Sequence, residues 1–401
     1  RGNLMSRKSV LGVAFVAASM TVSVGHAGEV GKTESEVMKN LSLAQDWLSG
    51  DIKSYGNAKV TYTGPVITMT TSHHIPKVSS LAKVGLKAFK VLEKMSNGKI
   101  KVNDTWSKTI HGAKDGRKAI RTGLTDYAPC FPAYNAKDYD LLHGLGLPFL
   151  FNNTHEATAI SEALYVKYLK KNFERFPGVK LARASQTASY HLYTKKPVYK
   201  LEEVKGLKVR AGGGPHAKII AALGAVPISM PAADAYTAVQ RGTLDAYHIN
   251  DAVAPIFKVH EVTDYRTGNG FNFFPVFYCT SGSFYNKLSA DLKIVYNNWS
   301  RQYAQIEAQG FYEINAAKAI TKMTASGAIK KLIELPPKEM ARWRAAVEPV
   351  TQKWIVDMEK KGLPGKQFIA EIRELSKKYH AMTPNAIMQA SIDQPLQGIL
   401  D

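Results

Sequence analysis

The segment KGLKVRAGGGPH, residues 205–216, combines residue types that can bind an anion. Its alternation of apolar and basic residues predicts a strand that carries Arg210 at its carboxyl end. An arginine fork grips a carboxylate through two charge-assisted hydrogen bonds. Three glycines then permit close backbone approach, and Pro215 begins a predicted helix whose free N–H groups would point at the same place. From these residues alone, a carboxylate clamp and a structural arginine with a flexible turn are equally open.

Other candidate binding residues lie in or after predicted strands. Trp106 ends a strand and is either a stacking surface for a ligand or a packing residue. His73 and His74 follow the first strand, where one of them would hydrogen-bond a ligand. Adjacent histidines point apart on an extended chain, which argues against a metal pair. Phe274 and Tyr278 lie in a long aromatic strand region, where core packing is the default and cleft lining the alternative.

No motif typical of a hydrolytic or metal enzyme accompanies these residues. The sequence contains no G-x-S-x-G, no H-E-x-x-H and no cluster of cysteine and histidine. Nor does it contain the spacing of a P-loop or a dinucleotide fingerprint. Asp126 and Asp245 recur in similar turns, where their carboxylates would accept hydrogen bonds from turn N–H groups. We therefore expect a non-enzymatic binding protein without a metal or cofactor.

The elements that position these residues alternate between strands and helices. The strand-like segments PVITMTT, KIKVND and TDYAPCF are separated by an amphipathic helix ending at Asn97-Gly98 and by a shorter helix. A second block contains the strand-like segments GLKVRA, AVPISM and LDAYHI, again with helices between them. This order predicts parallel sheets covered by helices. A helix-rich stretch of nearly 40 residues, 289–326, follows.

The N-terminal residues are typical of a secretory signal peptide. After upstream residues 1–4, Arg7 and Lys8 form a basic region, and an apolar run leads to Gly25-His26-Ala27. The run is shorter than the roughly 20 apolar residues that span a bilayer. We expect cleavage after Ala27, which makes residues 1–27 the removed segment and places the protein in the periplasm.

Residues 28–61 read as a polar N-terminal extension ahead of the regular pattern. A short amphipathic helix is predicted there around Val37, Leu41, Ala44 and Leu48.

The two cysteines, Cys130 and Cys279, do not make a disulfide scaffold. Since export permits a bridge and both lie in apolar segments, one disulfide bond and two buried thiols are equally open.

The net charge limits the partners of the chain. It is +20 for the full sequence, and about +17 remains without residues 1–27. The charges are scattered rather than clustered, which indicates a solvated basic surface or a field that attracts small anions. Export argues against nucleic acid as a partner.

The segment LEEVKGLKVRAGGGPHAKIIAALGAVPISMPAADAYTAVQRGTLDA, which begins at Leu201, resembles the core signature of DctP-type substrate-binding proteins. These proteins serve tripartite ATP-independent periplasmic (TRAP) transporters. The segments LEKMSNGKIKV, GLTDYAP and GLGLPFLFNNTHEA upstream, and YNKLSADLKIVYNN and LPPKEMARWRAAVEPV downstream, also fit. The resemblance covers roughly residues 62–380.

The resemblance implies an α/β, two-lobed periplasmic-binding-protein fold, type II-like, with crossing hinge strands and a long bracing helix. The expected lobes are lobe I at 62–188 and 276–315, and lobe II at 189–275 and 316–401. Hinges are expected near 187–190 and 274–277. The implied role is to bind a small organic acid between the lobes, as a monomer, and to deliver it to membrane permease subunits. A ligand-sensing partner of a membrane receptor is the alternative, and an exported enzyme on the same scaffold is less favoured.

The resemblance also assigns roles to residues. Arg210 falls on the signature arginine that clamps the ligand carboxylate in the family. Some members carry a second arginine about twenty residues earlier, where this chain has Tyr190, so a monocarboxylate is favoured. Asn250 is preferred to Asp251 as a cleft residue after its strand, and Phe131 reaches the cleft after TDYAP. The full predicted site contains Arg210, Tyr190, Trp106, Phe131, Asn250, Tyr236, His73 and Phe274.

Overall fold

A computed structural model describes residues 34–400, where strands and helices form two α/β units. The strands are β1 (Ile67–Ser72), β2 (Ile100–Thr105), β3 (Tyr127–Pro129), β4 (Val179–Gln186), β5 (Tyr190–Thr194), β6 (Lys208–Ala211), β7 (Val226–Ser229), β8 (Ala246–Asn250), β9 (Tyr265–Gly268), β10 (Pro275–Ser281) and β11 (Lys331–Glu334). The α-helices are α1 (Glu34–Asn40), α2 (Ser42–Ser49), α3 (Ser80–Met95), α4 (Gly116–Arg121), α5 (Thr154–Ala163), α6 (Lys170–Phe173), α7 (Pro215–Ala222), α8 (Tyr236–Gln240), α9 (Gly282–Lys287), α10 (Ala290–Gln305), α11 (Ile314–Ala325), α12 (Pro337–Lys360), α13 (Gly365–His380) and α14 (Pro384–Asp393). The predicted signal peptide lies outside these residues.

Two sheets form the cores of the two lobes. The sheet of lobe I has the order β2-β1-β3-β10-β4, and that of lobe II has the order β11-β9-β5-β8-β6-β7. β1 runs parallel to β2 and β3, and β6 runs parallel to β7 and β8, as the strand–helix alternation predicts. β10 and β5 are antiparallel to their neighbours, since each enters its sheet directly from the other lobe. The predicted α/β class is confirmed.

The chain crosses between the sheets at two short segments and through one helix. Residues 187–189 join β4 to β5, and residues 269–274 join β9 to β10. The first crossing coincides with the expected hinge at 187–190. The second lies earlier than the expected 274–277, because Pro275 already begins β10. Whether the lobes rotate about these segments stays a prediction.

The third crossing is one continuous helical stretch over residues 290–325. It consists of α10, a π-helical segment at Ile306–Glu313, and α11. The π-helical segment contacts α2 of the N-terminal extension, where a Cβ on Gly310 would lie 2.7 Å from Leu48 Cδ1. Trp47 of α2 is fully buried and donates to Gln302 Oε1 at 2.8 Å. The extension is therefore helical, as predicted, and packs against the bracing helix.

The last two helices pack against lobe I. Phe368 of α13 meets Tyr168 edge to face, with ring centroids 5.3 Å apart. Gln309 on the bracing helix donates to the Pro384 carbonyl oxygen of α14 at 3.1 Å. These contacts differ from the expected assignment of residues 316–401 to lobe II. An amphipathic helix shows in its sequence which face is buried, but not which lobe buries it.

A disulfide bond joins Cys130 to Cys279, with the Cα atoms 5.7 Å apart. It links the end of β3 to its antiparallel neighbour β10 within the sheet of lobe I. Of the two alternatives that the sequence leaves open, the structure contains the bond. Phe131 and Tyr278, the chain neighbours of the two cysteines, both face the cavity between the lobes.

Candidate ligand-binding site

The three glycines after β6 allow the two lobes to touch. A Cβ on Gly213 would lie 2.6 Å from the Ala133 carbonyl oxygen, and Gly213 has a φ of 92°, which favours glycine. A Cβ on Gly212 would lie 2.8 Å from the Phe274 ring. The start of α7 faces a separate groove lined by Gly214 and His143. That this helix end binds the ligand stays a prediction, and the glycines permit close contact between the lobes.

Arg210 is fully buried at the carboxyl end of β6. Its Nε donates to the Met230 carbonyl oxygen at 2.9 Å, and its Nη1 donates to the His248 carbonyl oxygen at 3.2 Å. Its Nη2 donates to the Tyr134 hydroxyl of lobe I at 3.1 Å. Three of its five N–H groups are engaged in these bonds, and the guanidinium also forms a hydrogen bond with the Tyr190 hydroxyl, which leaves at most one N–H without a partner among these contacts.

The surroundings of Arg210 differ from those of the other deeply buried arginines. Those arginines each face a carboxylate, in the pairs Arg183–Glu307, Arg266–Asp251 and Arg301–Glu162. Within residues 34–400, Arg210 has no ion-pair partner. A buried charge without a counter-ion is costly, so Arg210 is the candidate among these arginines for binding an anionic ligand.

A cavity of about 560 Å³, including its part open to solvent, lies between the lobes in front of Arg210. Its aromatic lining consists of Phe131, Tyr134, Tyr190, Phe257, Phe274, Tyr278 and Tyr312. Aliphatic side chains complete the apolar wall: Ile75, Leu81, Ile249, Val253 and Val276. No Asp, Glu, Lys or Arg from the described part of the chain belongs to this lining. The cavity therefore suits an apolar molecule, and the charge available to it is that of Arg210.

The rings follow one another from Arg210 into lobe I. Tyr190 stacks on Phe274 with centroids 6.1 Å apart and planes at 10°. Phe274 meets Tyr134 at 5.4 Å and Phe131 at 5.9 Å. Phe131 then meets His74 edge to face at 5.6 Å. The cavity thus has a guanidinium end in lobe II, an aromatic middle, and an imidazole end in lobe I.

Asn250 and Asp251 take different positions at the end of β8. Asn250 is paired with Tyr190 in the sheet and lines the cavity. Asp251 forms a buried ion pair with Arg266 at 2.7 Å and accepts a hydrogen bond from the Tyr193 hydroxyl at 2.5 Å. Arg266 holds the pKa of Asp251 below its ordinary value, although burial opposes this. The geometry therefore agrees with the preference for Asn250.

Three of the eight predicted site residues do not line the cavity: Trp106, Tyr236 and Arg210. The Trp106 ring stacks face to face on His73, with centroids 4.1 Å apart, and its Nε1 donates to Asp104. His73 therefore lies between Trp106 and the cavity. Tyr236 donates to Glu261 at 3.0 Å, outside the cavity lining. Arg210 itself lies one layer behind Tyr134 and Tyr190. We leave Trp106 and Tyr236 out of the candidate site.

Sequence analysis did not identify three aromatic residues that the structure places in the lining, Tyr134, Phe257 and Tyr312, nor the aliphatic residues of the wall. Tyr134 lies on a 3-10 turn that begins at Pro132, three residues beyond the predicted Phe131. That short turn is the one signal that points to it. Tyr312 lies in the π-helical segment of the bracing helix, where its sequence resembles that of any buried helix position.

Buried histidines near the cavity predict a loss of stability in acid. Burial holds the pKa of His191 and His216 at about 3 and that of His73 and His248 well below 6.5. Below pH 6.5 the unfolded chain binds protons that the folded chain does not, so folding stability falls as the pH falls. Each such histidine contributes roughly 1.4 kcal/mol per pH unit below about pH 6.

We therefore expect the free energy of unfolding in urea to be lower at pH 5.5 than at pH 7.5 by several kcal/mol, on the order of 1 kcal/mol for each of these histidines. The variant His248→Phe should reduce the slope of this pH dependence by about one proton. A free energy of unfolding that stays constant over this range would show that the rings are charged or accessible in the folded protein.

Two α/β lobes that close on a buried, largely aromatic cavity define a solute-binding protein of the two-lobed type. The chain belongs to the DctP family, bacterial extracellular solute-binding protein family 7, whose profile matches residues 72–357. A solute-binding protein of Verminephrobacter eiseniae is 23% identical over 300 residues, which cover 74% of this chain and 85% of that protein. The family resemblance in the sequence is confirmed.

Solved structures share the fold. A TRAP periplasmic solute binding protein from Desulfovibrio salexigens, in an open complex, matches with a TM-score of 0.68 and 25% identity, over 78% of this chain and 96% of that one. A marine metagenome TRAP protein specific for aromatic acid ligands, in complex with 3-hydroxybenzoate, matches with a TM-score of 0.73 and 20% identity, over 79% and 99%. No helix within residues 34–400 is long and apolar enough to cross a membrane.

Proposed function

We propose that this protein binds an aromatic or similarly apolar monocarboxylate in the periplasm and delivers it to the permease of a TRAP transporter. The observation that carries the proposal is the environment of Arg210. Among residues 34–400, no carboxylate pairs with its buried guanidinium, and none of them contributes an ionised side chain to the lining of the cavity in front of it. A solute with one carboxylate and an apolar body would provide the counter-ion for Arg210 and would fill the apolar cavity.

The carboxylate is bound by the terminal nitrogens of Arg210 once the Tyr134 and Tyr190 hydroxyl groups release them. In this conformation the Tyr134 and Tyr190 side chains stand between the guanidinium and the cavity. A carboxylate reaches the fork when these hydroxyl groups move aside, and they can then donate to its outer lone pairs. The carboxylate oxygens thereby lose their hydrogen bonds to water and gain charge-assisted hydrogen bonds to Arg210 in a site that excludes water.

The aromatic lining selects against the other classes of organic acid. A dicarboxylate or an amino acid brings a second charge, and the cavity lining contains no partner for it. A sugar acid brings several hydroxyl groups, each of which needs a hydrogen-bond partner when buried. A ring stacks between Phe131, Phe274 and Tyr190 at no such cost. The fold accommodates this class in the marine metagenome relative, which holds 3-hydroxybenzoate.

Delivery to a permease follows from the family. The lobes touch across the cleft through a Lys108–Asp234 ion pair of 3.0 Å, at exposed positions next to the cavity. A closed pair of lobes presents a surface that the open protein lacks, by which a permease distinguishes loaded from empty protein.

Deleting the gene should abolish uptake of the acid identified in the binding assay. Undiminished uptake would favour a sensing role.

A thermal-shift and calorimetric panel tests the choice of solute. We expect benzoate and 3-hydroxybenzoate to stabilise the purified protein, by about 4 kcal/mol at 1,000 times the dissociation constant. The matched control is benzamide, which has the same ring but no charge and should bind far more weakly. Binding of succinate or glucuronate in preference to the aromatic acids, or equal binding of benzamide and benzoate, would contradict the proposal.

A further inference from the structure

The imidazole end of the cavity contains hydrogen-bonding groups that the protein itself does not satisfy. His73 and His74 both line the cavity at the end of β1. His73 Nε2 and His74 Nδ1 are buried atoms with no hydrogen-bond partner among residues 34–400. Such atoms are rare in folded proteins because each loses its hydrogen bonds to water without replacement.

Both rings are neutral when the protein works near neutral pH. Burial, with Arg183 nearby, keeps the pKa of His73 well below its ordinary value. Burial also lowers the pKa of His74 to about 3, although the residue as a whole is half-buried. A neutral imidazole offers one N–H donor and one lone pair. The two histidines can therefore pair with a group that both donates and accepts, such as a hydroxyl, and they gain little from a second carboxylate.

The rings of the cavity separate these nitrogens from Arg210. His74 meets Phe131, Phe131 meets Phe274, and Phe274 stacks on Tyr190 beside the guanidinium. Each step is between 5.6 and 6.1 Å from centroid to centroid. These rings line the cavity between its two ends. The aromatic body of a solute would lie along them, with a substituent on the far side of its ring directed towards the imidazoles.

We propose that the solute carries a hydroxyl group on the end of its ring away from the carboxylate, and that His74, together with His73, recognises it. This inference rests on the proposed binding of an aromatic monocarboxylate and narrows that class to hydroxylated members. His73 is held in place by its stack on Trp106, which is 4.1 Å away and nearly parallel. Trp106 thus acts by positioning His73, and not by contact with the solute.

Pairs of ligands that differ in one hydroxyl group test the inference. Dissociation constants are measured by calorimetry for benzoate with 3- and 4-hydroxybenzoate, and for phenylacetate with its hydroxylated forms. In the wild-type protein, we expect at least one hydroxylated acid to bind about tenfold more tightly than its parent, which is the scale of one neutral hydrogen bond. In His74→Phe, which keeps an aromatic ring but no nitrogen, the two acids of a pair should bind equally, because the affinity for the hydroxylated acid falls by more than the affinity for its parent.

Two further variants separate a hydrogen bond from a change of shape. His74→Gln retains a donor and an acceptor, so it should keep part of the preference. Phe257→Leu changes the apolar wall of the same cavity and should weaken both members of a pair equally. His73→Phe serves as the second test of the imidazole end if His74→Phe does not fold.

The outcomes distinguish this inference from the proposed function. If benzoate and phenylacetate bind as tightly as their hydroxylated forms, or if His74→Phe keeps the full preference, the imidazole end binds water and the inference is wrong while the proposed function stands. If no aromatic acid binds at all, both are wrong. A preference for the hydroxylated acid that the histidine variants abolish, while the parent acid still binds, supports both.

Discussion

Replacing Arg210 with methionine will lower the affinity for an aromatic monocarboxylate by roughly 30- to 3,000-fold. The guanidinium is fully buried and has no carboxylate partner in the described chain, so we expect the solute carboxylate to act as its counter-ion. Removing one partner of a buried, hydrogen-bonded charge pair costs about 2–5 kcal/mol, and each 1.4 kcal/mol is a factor of ten in affinity. Calorimetry on the wild-type and variant proteins with benzoate measures this ratio.

The same substitution should change the stability of the empty protein far less. Methionine removes a costly unpaired charge, but it also strands the Met230 and His248 carbonyl oxygens that accept from Arg210. These effects oppose each other, so we expect the midpoint of thermal unfolding without solute to shift by a few degrees at most. A binding defect without an unfolding defect identifies a ligand contact rather than a structural residue.

Two variants control for charge and for surface effects. Arg210→Lys keeps a positive charge but not the planar fork, so it should lose part of the affinity. Arg241→Met removes an exposed arginine at the end of α8 and should leave the affinity unchanged. If Arg210→Met binds benzoate as tightly as the wild-type protein does, the carboxylate lies elsewhere in the cavity.

Local patterns in the sequence predicted most of the individual elements. The helix α3 ends at Met95, and Asn97 and Gly98 both adopt positive φ values after it, as their residue types indicate. The end of α3 depends on residues that are near in sequence, so the sequence shows it directly. Asp126 and Asp245 accept hydrogen bonds from the backbone N–H groups of Thr70 in β1 and Lys208 in β6, at 2.9 and 2.8 Å, so the prediction that they bond N–H groups of their own turns is wrong.

The candidate site was predicted less completely, because its walls come from distant parts of the chain. Tyr190, Phe131 and Asn250 lie in the lining at the ends of predicted strands, where topology alone brings side chains together. Tyr312 comes from the bracing helix, and its contribution depends on how that helix crosses the cleft. Trp106 lies at the end of its strand, as predicted, but on the face of His73 that points away from the cavity. Side-chain packing determines this position, and the sequence pattern does not show it.

A single substitution in the ion pair behind the cavity should cost the most stability. Arg183 of β4 and Glu307 of the π-helical segment are both fully buried, and two hydrogen bonds join them. The Arg183 guanidinium lies 3.7 Å from the centroid of Tyr278, and the Tyr278 hydroxyl donates to Glu307 at 3.2 Å. Glu307→Ala leaves the arginine charge unpaired in the core, so it should lower the free energy of unfolding by about 3–5 kcal/mol.

A double substitution and an exposed pair give the controls. Arg183→Met combined with Glu307→Leu removes both charges and should recover much of the loss, because apolar residues of similar volume replace a desolvated pair at little cost. The exposed pair between Arg342 and Glu202 is hydrated, so Glu202→Gln should leave the free energy of unfolding unchanged within error. Urea unfolding of the four proteins at pH 7.5 measures all of these differences.

The double variant also separates stability from binding, because Tyr278 forms part of the cavity wall. Its ring lies against the Arg183 guanidinium, and its hydroxyl is held by Glu307. Without these contacts the ring can turn, so we expect the double variant to fold stably but to bind benzoate more weakly than the wild-type protein. If it binds equally well, apolar packing alone holds the wall. If Glu307→Ala costs no more than Glu202→Gln, water reaches Arg183, and the pair does not lie in a dry core.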